Sequence, residues 1–167
     1  MEVTDFVFAD DGDIPNSRLP LILYARAIDP AAGDPAEAFE ALFAANGWPP
    51  AWRNGIYGFH HYHSTAHEVL GIARGSAEVR FGGERGRTVT ARAGDAVLIP
   101  AGVGHRRLGG TADLLVVGAY PPGQPVDLQR SGAADAAAIR RRIAAVGRPG
   151  TDPVAGAAGP LARLWGA

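Results

Sequence analysis

Five histidines, His60, His61, His63, His67 and His105, are the residues of this chain best suited to chemistry, and four of them fall within eight positions. Alternate side chains of a strand share a face, so His61 and His63 point one way with Tyr62 opposed, about 7 Å apart along the strand. Two imidazoles so placed can converge on one ion. After Ser64-Thr65-Ala66, a returning strand offers either His67 or Glu68, whichever faces inward, and His105 can close the site from a more distant strand. Imidazole nitrogens with one carboxylate oxygen suit a single borderline divalent transition metal ion: iron, manganese, nickel, cobalt or zinc. Ligation by three or four protein groups leaves positions open for water, substrate or dioxygen.

What the chain lacks narrows the chemistry further. It has no cysteine, which excludes disulfides, thiolate metal sites and a cysteine nucleophile. All 16 basic residues are arginine, so a Walker phosphate loop, a Schiff base and a lysine general base are excluded as well. Neither a Gly-x-Ser-x-Gly elbow nor a dinucleotide fingerprint is present. The net charge of −1 argues against a nucleic-acid partner or an anionic membrane surface. No apolar run reaches the length of a membrane span, and the acidic start Met1-Glu2-Val3-Thr4-Asp5 is unlike a signal peptide, so a cytoplasmic location is expected.

The elements that must position the histidines are mostly strands. The chain is 47% apolar and 20% charged over 167 residues, enough for one well-cored domain spanning 1–167. Its 23 glycines and 13 prolines punctuate short apolar runs instead of forming blocks, the pattern of an all-β domain with many turns. Strands are expected at Val3–Ala9 and Leu19–Ala25. Between Ala51 and Tyr120 further strands are expected at Arg53–His61, Glu68–Ala73, Ala77–Phe81, Thr88–Ala93, Ala96–Ile99, His105–Leu108 and Ala112–Tyr120. A helix is expected after Asp34, with Pro35 in its first turn, Phe39, Leu42 and Phe43 as its apolar stripe and Gly47 as its stop. A second helix is expected over Ala134–Val146, its Arg140-Arg141-Arg142 run forming a solvated face. The Pro/Gly/Ala-rich tail ending at Trp165 is expected to be a strap on the domain or a subunit contact.

Two segments together resemble the signatures of the cupin superfamily. The first signature is Gly, five residues, His-x-His, three or four residues, Glu, six residues, Gly; here it is filled by Gly55, His61, His63, Glu68 and Gly75. The second is Gly, five residues, Pro-x-Gly, two residues, His, three residues, Asn; here Gly94, Pro100, Gly102 and His105 match, and Gly109 stands where Asn is usual. The matches span residues 55–109. The resemblance, which extends to bacterial single-domain cupins of unassigned activity, implies a double-stranded β-helix, a jelly-roll barrel. Its core would lie at about 51–120, with strands and a helix before it and a helix and strap after it. It implies a metal in the barrel mouth held by His61, His63, Glu68 and His105, and its spacing selects Glu68 over His67. It also implies pairing of barrels, hence a homodimer.

If the strand carrying His61 is unbroken, Arg53, Gly55, Tyr57 and Phe59 share its inward face. Tyr57 and Phe59 would then wall the pocket, and Arg53 would hold a substrate carboxylate. Arg107, in step with His105, is a second candidate anion partner. Glu68 is a candidate transient base. The expected function is therefore a metal-dependent enzyme acting on a small organic molecule, dioxygenase-like. The alternatives are a redox-neutral isomerase or lyase, or a non-catalytic barrel that binds a small molecule or sugar.

Overall fold

Side-chain alternation along β5 (Glu68–Arg74) sets the architecture. Residues 68–73 are all buried, so both faces of this strand are covered. Leu70 and Ile72 enter one core, Val69 and Ala73 another. The computed structural model describes residues 1–166. It contains β1 (Glu2–Phe8), β2 (Ser17–Ala25), α1 (Pro35–Ala45), β3 (Pro50–Asn54), β4 (His61–Tyr62), β5, β6 (Ser76–Phe81), β7 (Arg87–Arg92), β8 (Ala96–Ile99), β9 (His105–Gly110), β10 (Leu115–Ala119), β11 (Gln129–Arg130), α2 (Ala136–Ala145) and α3 (Pro160–Trp165).

These strands form two antiparallel sheets. One runs β1-β2-β8-β5-β10-β3 and the other β11-β4-β9-β6-β7. Leu21, Leu70, Val97, Ile99 and Val116 of the first sheet meet Ala77, Val79, Phe81 and Ala91 of the second, and this shared core makes the jelly roll. The expected all-β barrel with flanking helices is the observed fold. Sheet pairing also reaches outside residues 51–120, because β2 bonds to β8 through Ile22↔Leu98, Leu23↔Val97 and Tyr24↔Ala96.

Helices cover the outer face of the larger sheet. The Asp34 carboxylate accepts from the backbone N–H groups of Ala36 and Glu37, capping α1 at its N-terminus, and Pro35 lies in the first turn. Phe39 and Phe43, one turn apart with rings 5.5 Å from each other, pack on this face. Burying each contributes roughly 2 kcal/mol. Gly71 makes that approach possible: a Cβ there would lie 2.5 Å from the Phe39 ring. The C-terminal tail is a strap packed on the same core, with Leu161 and Trp165 buried and the Trp165 indole N–H donating to the Pro20 carbonyl at 2.8 Å. On the other sheet, Ile139 of α2 packs against Tyr62 and Ile14. Two of the α2 arginines are engaged rather than free: Arg140 pairs with Asp10, and Arg142 donates to Ser64 Oγ.

One strand boundary matters for function. Instead of a single strand over Arg53–His61, β3 stops at Asn54 and β4 is only two residues long. The intervening loop is held by the Arg107 N–H, which donates to the Tyr57 carbonyl at 2.9 Å.

Candidate metal centre

Each histidine of the barrel mouth is aimed by its own backbone surroundings. His61 on β4 lies directly opposite His105 on β9, and their rings are 4.0 Å apart between centroids. His61 Nδ1 faces the Phe59 carbonyl at 3.0 Å, and His105 Nδ1 faces the Val103 carbonyl at 3.1 Å. His63, just past β4, turns its Nδ1 to the Asp127 carbonyl. A carbonyl oxygen can only accept, so each Nδ1 carries a proton, which leaves Nε2 as the atom turned to the cavity. This is the arrangement by which backbone partners fix a metal-binding tautomer.

Glu68 meets two of those Nε2 atoms. Its Oε2 is 3.2 Å from His63 Nε2 and 3.3 Å from His105 Nε2. Donor atoms of His63, Glu68 and His105 all lie within 4.8 Å of one another, and all three residues are buried. Yet Glu68 Oε2 has no hydrogen-bond partner of acceptable geometry. A buried carboxylate set against two imidazoles needs positive charge beside it, supplied by a metal ion or by a proton on a ring nitrogen. Burial works to raise the Glu68 carboxyl, but His63 and His105 outweigh it and hold it well below the usual carboxylate range. For His63, burial opposes protonation, while the adjacent Glu68 overcomes it and raises the imidazole. His61 goes the other way: burial first, then neighbouring His105, lower it to about 3.

Placement of the expected residues is uneven. His61, His63, Glu68 and His105 all line one cavity of about 590 Å³, but His61 stands beside the three-donor group, not in it. Tyr57 is 55% exposed at the cavity rim, stacked on Phe59 and edge-on to His61. Arg53 is not at the site. Its guanidinium pairs with Glu40 of α1 at 2.7 Å, and Trp52 and Asn54 line the cavity instead. The inward parity inferred for Arg53 from His61 does not carry through the Gly55–His60 loop. His67, the residue before β5, is turned away from Glu68. Its Nδ1 accepts from the Ala101 N–H at 2.9 Å, and its ring lies 4.7 Å from Trp165. Burial lowers it to about 4. His60 points elsewhere again, bonded to Glu84 at 2.7 Å.

Three contributors were not singled out from the sequence. Trp52 fits the cavity wall because Gly118 has no side chain; a Cβ there would lie 2.1 Å from the indole. The Trp52 indole N–H donates to the Tyr120 hydroxyl at 2.8 Å, and Tyr120 stands edge-on to His63. Burial, and then the nearby Glu68, push the Tyr120 phenol up, so it keeps its proton. Asp127, in the segment after the barrel, uses its carbonyl for His63 and its carboxylate for the Ser64 N–H, the Ser64 hydroxyl and the Gln129 amide. For Tyr120, its position at the end of a strand was a usable signal; for Asp127, lying beyond both signatures, there was none.

Comparison with known proteins agrees with this geometry. Residues 53–117 match the Cupin_2 family, described as the cupin domain. Over 165 residues the chain is 36% identical to uncharacterized protein YjlB of Bacillus subtilis (strain 168), covering 98% of this chain and 97% of that one. The chain belongs to the cupins. Among solved structures, this cupin is similar to a DUF861-family protein of Thermotoga maritima at 22% identity and TM-score 0.34, covering 51% of this chain and 91% of the other. It is also similar to Streptomyces albus HEPD, solved with Fe(II) and 2-hydroxyethylphosphonate, at 10% identity and TM-score 0.27, over 78% of this chain and 21% of that one. With scores this low, nothing about the chemistry of this cupin follows from either. Among the described residues, no helix is long and apolar enough to cross a membrane.

Proposed function

We propose that this cupin is a divalent-metal-dependent enzyme that oxygenates a small organic molecule in the barrel mouth. The observation that carries this is the unpartnered Glu68 Oε2 facing the two imidazole Nε2 atoms in a buried space. His63, His105 and Glu68 would hold the ion, with His61 as the neighbouring fourth donor. Two imidazoles and a carboxylate with open positions form the donor set of non-haem iron oxygenases. Such an ion, when bound, supplies a point where an organic substrate and dioxygen meet and exchange electrons.

The chain's own residues do the rest. The Phe59, Val103 and Asp127 carbonyls hold three imidazoles in one tautomer. Tyr120 keeps a phenol proton inside the cavity, available for donation to a bound oxygen atom. Tyr57 and Trp52 give the substrate apolar walls, and a volume near 590 Å³ suits a small molecule.

The test is anaerobic loading with Fe(II), followed by dioxygen uptake with a panel of flavonols, thiols and diketones. Substrate-dependent uptake, lost in His105→Ala, supports the proposal. Conversion of keto acids or sugars under argon would replace it with an isomerase or lyase. We also propose a homodimer through β1, a sheet edge on which Val3 and Val7 are exposed. Light scattering at twice the 17.3 kDa chain mass supports this, and a single-chain mass at all concentrations contradicts it.

A further inference from the structure

The cavity outside the histidine cluster has an asymmetric lining. Besides Glu68, its formally charged residues are Asp127 and Arg107. The Asp127 carboxylate is saturated by the Ser64 and Gln129 donors. Arg107 is exposed, and it is the one arginine that lines this cavity. Arg53 and Arg106 pair with Glu40 and Glu84, and Arg140 pairs with Asp10, whereas among the described residues no acceptor receives the Arg107 guanidinium. Along β9, Arg106 turns outward to the Gly58 carbonyl and Glu84, which leaves Arg107 on the His105 side.

Around this one cavity-lining guanidinium the rim is apolar. Tyr57, Val126 and Leu128 are 55%, 43% and 47% exposed, and all three line the same cavity, with Ile56 and Leu70 deeper. Exposed large apolar side chains gathered at one mouth mark a binding surface. A lone guanidinium matches a carboxylate through two parallel N–H···O bonds. It is a poor match for a dianionic phosphate here, because Glu68 and Asp127 add negative charge to the same cavity.

We infer that the cavity takes a small organic carboxylate with an apolar or aromatic body. The carboxylate sits on Arg107, the body lies against Tyr57, Ile56 and Leu128, and the far end reaches toward His63, Glu68 and His105. Only this last clause rests on the proposed metal function; the anion site stands independently of it.

The test is calorimetric titration with phenylacetate and hexanoate against their uncharged amides, using both metal-free and Zn(II)-loaded protein. The expected result is that the acids bind about fivefold more tightly than the amides in the metal-free protein, the preference of one partly exposed charged pair. Arg107→Gln abolishes that preference with amide affinity, thermal stability and metal uptake unchanged. Arg107→Lys keeps part of it, and Arg106→Gln keeps all of it. Equal affinity for acid and amide, a preference that survives Arg107→Gln, or no binding of any probe at millimolar concentration overturns the inference. Failure of the wild-type protein to take up metal contradicts the proposed function alone, while an acid preference that depends on Arg107 would still establish the anion site.

Discussion

Two buried carboxylates in this molecule have opposite surroundings. Asp152, 1% exposed beneath the C-terminal strap, is fully satisfied: one oxygen accepts from the Val154 and Ala155 N–H groups, the other from the Leu161 N–H and the Tyr24 hydroxyl. Glu68, 3% exposed in the barrel mouth, faces the His63 and His105 imidazoles and the Tyr120 phenol, and its Oε2 has no hydrogen-bond partner of acceptable geometry. One is a structural pin joining the tail to β2. The other is the centre of the proposed metal site. An unsatisfied buried carboxylate oxygen calls for an explanation, and a bound cation is the one proposed for Glu68.

That contrast can be broken by mutation. The largest expected effect belongs to Asp152→Ala, which orphans the buried Val154 and Leu161 N–H groups and the Tyr24 hydroxyl, frees the Ala155 N–H, and should cost about 3 kcal/mol or more in denaturant unfolding. Glu68→Gln should do the reverse: metal affinity falls by about a hundredfold or more, while metal-free stability changes by less than about 1 kcal/mol. Equal destabilisation by the two variants would abolish the distinction.

A smaller effect separates the ligands from their supports. Asp127→Ala leaves the carbonyl that holds His63 but frees its segment from Ser64 and Gln129, so metal affinity should fall about tenfold with the fold intact. Gly118→Ala should push Trp52 from its place and cost roughly 1–3 kcal/mol.

The smallest effect is electrostatic. The Arg140 hydrogen bonds lower the Asp10 carboxyl. A depressed folded-state value stabilises the protein above the unfolded pKa, and that contribution is lost as pH falls through the folded one. Asp10→Asn should therefore flatten stability slightly in the acid range and leave metal uptake unchanged, as measured by thermal unfolding against pH.

The same two regions show what the sequence makes legible. Signature spacing places His61, His63, Glu68 and His105 around one cavity, because a short turn and strand alternation constrain them locally. Alternation also separates His67 from Glu68, and the structure sends them to opposite faces of the sheet. The helix over Pro35–Ala45 is legible from its cap and its Phe39/Phe43 stripe. Arg53 misleads because alternation holds only within a continuous strand, and Gly55 to His60 form a loop. Asp127 reaches the site through a chain reversal that no local pattern records, whereas Tyr120 directly follows β10 and carries the signal of a strand end. Arg107, five residues beyond Gly102 of the second signature's Pro-x-Gly turn, keeps its parity with His105 because both lie on β9.

The central claim, that Glu68 and its imidazoles complete themselves with a metal, is tested most directly by elemental analysis after metal loading and desalting. Wild-type protein should retain a single first-row divalent ion per chain, and His63→Ala, His105→Ala and Glu68→Gln should each retain almost none. Wild-type protein that emerges metal-free, or variants that keep the same content as wild type, would contradict it.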